Sequence, residues 1–319
     1  CRNNYTKCME QDVQFVPAIH PVLTMKALCL IQPVMSVTAW HNLFCDLLKE
    51  KMPLKNKVRD YYNRHVEDED HRLDRHPFEI PVTMHFVEKY LQPGAKIFDV
   101  ACGTGRIAGL LMNRGYFVGL NDLSDKNIDL SRQRLSGREK ALFIERADAL
   151  NSPGYKKETW DAVFILGPLY HLLSYKKRLK VLKLAEKHLR PGGYVFSSFM
   201  TRMGALVYGI KNNPEGILYP DGARKLWESG TDDSFVMATE WFTNAYFAHP
   251  EEVNPLVREA GLSPLHLAGA EGVFGERFEL YHSLNDDLKK SWMHFTLETC
   301  EEPHMVNQAK HLLSVSRKG

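Results

Sequence analysis

Three aspartates stand where short apolar runs end: Asp99 within Phe98-Asp99-Val100, Asp122 closing the run that begins at Tyr116, and Asp148 just past residues 142–144. The first run continues as Ala101-Cys102-Gly103-Thr104-Gly105-Arg106, a strand entering a glycine-containing turn and then a helix. Glycine lets the backbone approach a ligand closely, and in an open α/β sheet ligands bind in the crevice beyond the carboxyl ends of the strands. Gly-x-Gly alone is a weak signal. It gains weight from Asp122, 17 residues after Gly105 and so near the ~20-residue spacing of a carboxylate that accepts ribose hydroxyls. A solvated helix cap is the plainer use of each acid, but an acid at the end of each of three successive strands is an uncommon chance arrangement. A fourth run, residues 162–166, leads into Gly167-Pro168-Leu169-Tyr170-His171 and brings a phenol and an imidazole to the same edge, where they can orient a nucleophile or take its proton.

Residues so placed require a sheet covered by helices, and from residue 52 onward apolar runs alternate with amphipathic stretches in that pattern. Ile80, Met84, Val87 and Leu91 recur at helical spacing, and Pro93-Gly94 ends that helix before residues 96–100. Ser124 opens a helix after the second strand, a further helix covers residues 175–189, and residues 194–198 form strand five. Pro250, Glu251 and Glu252 begin a helix closed by Gly261, ahead of strands near residues 265–267 and 311–316. Tyr61, Tyr62 and His65 fall on a helix upstream of the first core helix, in position to form a lid.

Between residues 201 and 249 the rhythm gives way to a segment rich in Gly, Pro and aromatics, read as a cap inserted after strand five. Its aromatics suit a small core of the segment's own. Because strand five ends at the ligand edge, however, Tyr208, Trp241 and Phe242 can wall a substrate pocket, with His249 a weaker candidate. The expected division is residues 1–51 as an N-terminal extension, 52–200 and 247–319 as the core, and 201–246 as the cap.

Composition narrows the class. The 319 residues are 44% hydrophobic and 25% charged, near the globular average, and 41 basic against 39 acidic side chains give +2, too even a balance to indicate nucleic acid or an anionic membrane. Four of six cysteines lie in the first 45 residues, with neither a Cys-x-x-Cys pair nor a Cys/His metal spacing, so no metal and a reducing, cytoplasmic setting are expected. The apolar stretch at residues 27–31 is far short of a membrane span. The first residue is Cys1, and Met35 and Met52 offer alternative starts, so residues 1–51 receive little functional weight.

The ordered set of Asp99 with its Gly103/Gly105 turn, Asp122-Leu123-Ser124, Asp148-Ala149, residues 166–172 and Leu189-Arg190-Pro191-Gly192-Gly193 resembles the class I S-adenosylmethionine-dependent methyltransferases, from about Tyr61 to the C-terminus. Glu69, Arg72-Leu73 and Glu79 also fit a bacterial-type subgroup acting on small molecules. Ala101 departs from the pattern, standing where the family often has its first glycine. The resemblance implies a doubly wound, mostly parallel seven-stranded α/β sheet and S-adenosylmethionine as cofactor. It also implies that Asp99 and the turn Ala101, Cys102, Gly103 and Gly105 hold the methionine end, that Asp122 takes the ribose and Asp148 the adenine amino group. Leu123, Ala149 and Leu166 would then flank the ring, Arg106 or Arg72 would pair with the methionine carboxylate, and Tyr61 and Tyr62 would close the site. His171, with Tyr170, is the expected base, and the acceptor is a small, partly apolar molecule.

Two other readings compete. Gly103-x-Gly105-x-x-Ala108 with Asp122 also satisfies a loose dinucleotide fingerprint, which would make the chain an NAD-dependent oxidoreductase, although Asp148 and the late strands suit methyl transfer better. Lys176, Lys177, Arg178, Lys180, Lys183, Lys187 and Arg190 could serve a non-catalytic RNA-binding module. Leu179, Val181, Leu182, Leu184 and Leu189 give that helix an apolar face, which makes the lysines its solvated side.

Overall fold

The computed structural model describes residues 54–218, 222–231, 245–275 and 277–319. The extension expected at 1–51 lies outside these residues, as do Trp241 and Phe242. No helix among the described residues is long and apolar enough to cross a membrane.

Helices α1 (Leu54–Arg64), α2 (Val66–Arg75) and α3 (Glu79–Tyr90) precede the sheet. Then β1 (Lys96–Val100), α4 (Arg106–Asn113), β2 (Phe117–Asp122), α5 (Asp125–Arg134), β3 (Ala141–Arg146), β4 (Trp160–Ile165), α6 (Tyr175–His188) and β5 (Leu189–Met200) build five parallel strands. After β5 come α7 (Arg202–Asn212), α8 (Gly222–Ser229), α9 (Pro250–Glu259), β6 (Leu262–Gly269), α10 (Phe278–Ser283), α11 (Asp286–Thr299), α12 (Pro303–Gln308) and β7 (His311–Lys318). The sheet order is β3-β2-β1-β4-β5-β7-β6, with β7 antiparallel to both neighbours. This is the mostly parallel seven-stranded sheet that the sequence suggests.

Strand alternation sorts the core into two layers. Along β4, Ala162 and Phe164 enter one cluster with Ile97, Leu111 and Val315, while Val163 and Ile165 enter the other with Val181, Leu182 and Val257. A side chain as fully buried as Phe164 contributes about 1.5–3 kcal/mol. On α6, Val181, Leu182 and Ala185 are buried and Lys176, Lys177, Lys180, Lys183 and Lys187 are exposed, so the lysines form its solvated side. Arg178 turns inward instead, donating to the carbonyls of Leu172 and Leu173 at 2.7 and 2.9 Å and lying 3.4 Å from the Tyr246 ring centroid.

Two features differ from the sequence reading. Strand β5 begins at Leu189 rather than near residue 194, because Leu189 already pairs with Trp160 before the register shifts at Ala162. Helices α10, α11 and α12, between β6 and β7, were not anticipated, although Leu288, Trp292 and Phe295 recur along α11 at helical spacing; the structure leaves these three exposed while Thr296 is buried.

In the segment after β5, Ala205, Leu226, Ala245 and Phe247 form a small core against which Tyr208 packs. Thr201 and Ala248 form a parallel bridge, so this segment leaves and rejoins the sheet at neighbouring points.

Candidate active site at the carboxyl edge

Beyond Val100 the chain turns through Ala101, Gly103 and Gly105 with φ of 62, 57 and 77°. The Gly103 N–H donates to Asp122 Oδ2 at 3.0 Å, while Oδ1 accepts from the Ser124 N–H at 2.8 Å and from Asn127 Nδ2 at 3.2 Å. A side chain at Gly103 would meet nothing within 4 Å, whereas one at Gly105 would come within 3.0 Å of Ser131 Oγ. Gly103 therefore borders open space, and Gly105 lets α4 start against α5. Ala101 holds the left-handed conformation despite its Cβ, a strain of roughly 1–2 kcal/mol.

A cavity of about 440 Å3 runs along this edge, a size suited to a small ligand. Tyr62, Arg72, Asp99, Ala101, Cys102, Gly103, Arg106, Asp122, Leu123, Asp148, Ala149, Leu166, Tyr170 and His171 all line it. Tyr61, Gly105, Tyr208 and His249 do not. Tyr61 is buried behind Tyr62, edge-on at 5.3 Å and stacked on His65 at 4.4 Å. Tyr208 belongs to the small core after β5, and His249 caps α9, where Nδ1 accepts from the Glu251 N–H and its backbone N–H donates to Glu252. The sequence placed His249 at a helix start, and the capping role accounts for it.

The three strand-end acids differ in their surroundings. Asp99 is 2% exposed and accepts no hydrogen bond from a described residue; burial, and then Asp122, push its carboxyl up to about 7. Asp122 rises to about 6 through burial, opposed by its backbone donors. Asp148 pairs with Lys55 at 2.8 Å and accepts from the Leu150 N–H at 3.0 Å, so any ligand amine there shares the carboxylate with Lys55. Lys55 is half exposed, and such a pair is worth little on its own.

Neither expected arginine offers a free guanidinium. Arg72 grips Glu79 with two bonds of 2.7 and 3.0 Å and lies 3.6 Å from Glu69. Burial opposes its charge, but Glu79 outweighs burial and holds it protonated above the usual range. Arg106 pairs with Asp74. The Tyr62 hydroxyl and His171 Nε2 share a hydrogen bond of 2.8 Å, and burial drives the imidazole down to about 3. His171 is thus a neutral group whose Nε2 is engaged by Tyr62, a poor general base at neutral pH. Burial raises the Tyr170 phenol to about 12, so it stays protonated there.

Among the lining residues to which the sequence gave no role, Lys55, Glu69, Glu79 and His311 carry ionisable groups. Glu69 and Glu79 fitted only a pattern position, and His311 stands at the start of an antiparallel strand with no motif around it. The position of β7 was the available signal, because an antiparallel strand brings its first residue to the edge where its parallel neighbour ends.

The methyltransferase-domain family matches residues 97–193. The ubiquinone biosynthesis O-methyltransferase of Thiobacillus denitrificans is 27% identical over 176 residues, 55% of this chain and 68% of that protein. The demethylmenaquinone methyltransferase of Clavibacter sepedonicus is 32% identical over 102 residues, 32% of this chain and 40% of that protein. The structure of magnesium protoporphyrin IX methyltransferase from Synechocystis, with bound S-adenosylhomocysteine, matches with a TM-score of 0.52 at 15% identity, covering 84% of this chain and 100% of that one. That last likeness is one of fold.

Proposed function

As a class I S-adenosylmethionine-dependent methyltransferase, the chain uses S-adenosylmethionine, and we propose that it passes the methyl group to a small acceptor held at the Arg72–Tyr170 end of its cavity. One observation carries this reading: a single cavity reaches from Asp148 and Asp122 past Asp99 to Tyr170, in the order of β3, β2, β1 and β4 across the sheet.

The residues present suit the cofactor. The Asp99 carboxylate, buried and with no donor among the described residues, offers an acceptor for the ammonium of the methionine end. Asp122 lies where ribose hydroxyls need an acceptor, and Leu123, Ala149 and Leu166 supply apolar contact for adenine. When bound, S-adenosylmethionine supplies an electrophilic methyl on a sulfonium whose sulfur leaves uncharged.

The protein's task is then alignment and removal of the acceptor's proton. Alignment of two reactants is worth up to roughly 7–11 kcal/mol, against about 10²–10⁴-fold for a general base. The acceptor end combines the polar groups of Glu69, Arg72 and Tyr170 with the apolar Leu312 and Leu313, which suits a small, partly apolar molecule carrying one polar nucleophile. A reducing, cytoplasmic setting belongs to the same reading, on the cysteine spacing of the sequence.

Calorimetry with S-adenosylmethionine, S-adenosylhomocysteine and NAD tests the cofactor: the first two should saturate and the third should not. Mass spectrometry of a metabolite extract incubated with protein and isotope-labelled S-adenosylmethionine then identifies the acceptor as the species that gains a labelled methyl. Saturable NAD binding without S-adenosylmethionine binding would overturn the assignment.

A further inference from the structure

We propose that His311, oriented by Glu271, is the general base of the methyl-transfer site. The inference rests on the methyl-transfer reading above and replaces the base that the sequence suggested.

Strand β7 runs antiparallel to β5, with His311 paired to Met200 at the end of β5. This puts His311 at the carboxyl edge, where it lines the cavity together with Ser198, Leu312 and Leu313. Its Nδ1 lies 2.7 Å from Glu271 Oε1 and 3.6 Å from Glu79 Oε1. An ionised carboxylate has no proton to give, so Nδ1 carries the hydrogen and donates it. Nε2 is then the unprotonated nitrogen, and no described residue hydrogen-bonds to it. A buried carboxylate that fixes the tautomer leaves the opposite ring nitrogen as the base and stabilises the imidazolium that forms.

Glu271 is itself held rigidly. It is 2% exposed, and its two oxygens also accept the backbone N–H groups of Lys310 at 3.1 Å and His311 at 3.0 Å. The same carboxylate thus fixes both the start of β7 and the imidazole that β7 carries.

A lone pair on the acceptor's O–H or N–H atom forms the new bond to the methyl carbon, and the S–CH3 bond breaks with its electron pair passing to sulfur. The acceptor's proton moves to His311 Nε2 and later to water.

Charged and titratable groups facing His311 are Glu271 from the segment after β6, Glu79 from α3, Arg72 from α2 through its pair with Glu79, His76 with its ring centroid at 6.2 Å, and the adjoining Lys310. Glu79, Glu271 and His311 also bring three ligand atoms within 4.8 Å of one another, a spacing that could hold a cation. Arg72 already occupies both oxygens of Glu79, and backbone N–H groups occupy those of Glu271, which favours the hydrogen-bonded dyad.

The test follows histidine imidazole nitrogens by NMR in 15N-labelled full-length protein bound to S-adenosylhomocysteine, with His311→Gln assigning the signal. His311 should show a protonated Nδ1 and a bare Nε2 at pH 8, with that tautomer preference weakened in Glu271→Gln. In parallel, His311→Gln should transfer label from S-adenosylmethionine to the acceptor pool of a metabolite extract about 10²–10⁴-fold more slowly, with the Kd for S-adenosylhomocysteine unchanged within twofold. A bare Nδ1, a tautomer indifferent to Glu271→Gln, or a transfer rate within threefold of wild type would overturn the proposal. So would activity lost to a chelator and restored by a divalent cation. Absence of label with wild-type protein would count against the methyl-transfer reading alone, since the imidazole spectrum would still decide the dyad.

Discussion

The backbone N–H of Gly103 lies 3.0 Å from one oxygen of Asp122, whose other oxygen takes the N–H of Ser124. A single carboxylate thereby closes the turn after β1 and the entry to α5, and the proposed ribose contact is inseparable from the shape of the turn. Asp122→Ala should weaken S-adenosylmethionine by about 1–3 kcal/mol, roughly 5- to 150-fold, and lower stability as well. Asp122→Asn keeps one carbonyl acceptor and should lose less. Calorimetry on both variants checks this, and unchanged affinity in Asp122→Ala would remove the residue from the ribose end.

Asp99 makes binding depend on pH. With its carboxyl pushed up to about 7, the free protein carries it partly protonated near neutrality. A bound ammonium favours the carboxylate, so binding below about pH 7 should expel a proton, and affinity should fall with acidification. Calorimetry at pH 6.5 in buffers of different ionisation enthalpy measures the proton directly.

The same group affects folding with a definite sign. Because the folded value lies above the usual 3.8, the folded chain holds more of this proton than the unfolded chain between about pH 4 and 7. Its contribution therefore declines as pH rises through that window. Melting curves of Asp99→Asn should lack this decline relative to wild type; parallel curves would refute it.

Glu79→Ala would leave the Arg72 guanidinium without its two-point partner. Breaking a buried pair costs about 3–5 kcal/mol, and the lower end applies because Arg72 keeps 30% of its side chain exposed and has Glu69 at 3.6 Å. Replacing both partners by apolar residues should cost less than the sum of the single changes, as a urea-unfolding cycle would show. Strict additivity would mean that the two are not coupled.

Ala101→Gly relieves a left-handed alanine at the cost of a more flexible unfolded chain. The first effect is roughly 1–2 kcal/mol and the second about 0.4–1, so the variant should be as stable as wild type or more so by about 1 kcal/mol. Marked destabilisation in thermal melts would show that the Ala101 methyl makes a packing contribution larger than its strain.

Features that act within a few residues were legible in the sequence. Ser124 caps α5 as its position suggested, and Asp99, Asp122 and Asp148 all reach the cavity because each lies at or just past the carboxyl end of a strand. Features that need two distant segments were not. Glu271 and His311 are 40 residues apart with three helices between them, and neither has a neighbour that marks it. Arg72 read as a ligand for a carboxylate and is one, but the carboxylate belongs to Glu79. His171 lies at the expected edge, and its basicity is lost to burial, which strand periodicity does not report.

The bridge between Thr201 and Ala248 has a bearing on how such a protein can diversify. Where a segment departs and returns at adjacent backbone positions, its length and composition can change with little penalty to the sheet, because loop closure depends only weakly on the number of residues enclosed. Asp99, Asp122 and the Gly103 turn lie on other strands and are insulated from such exchanges. Lineages descended from this scaffold can therefore trade one intervening segment for another while inheriting the nucleotide end intact.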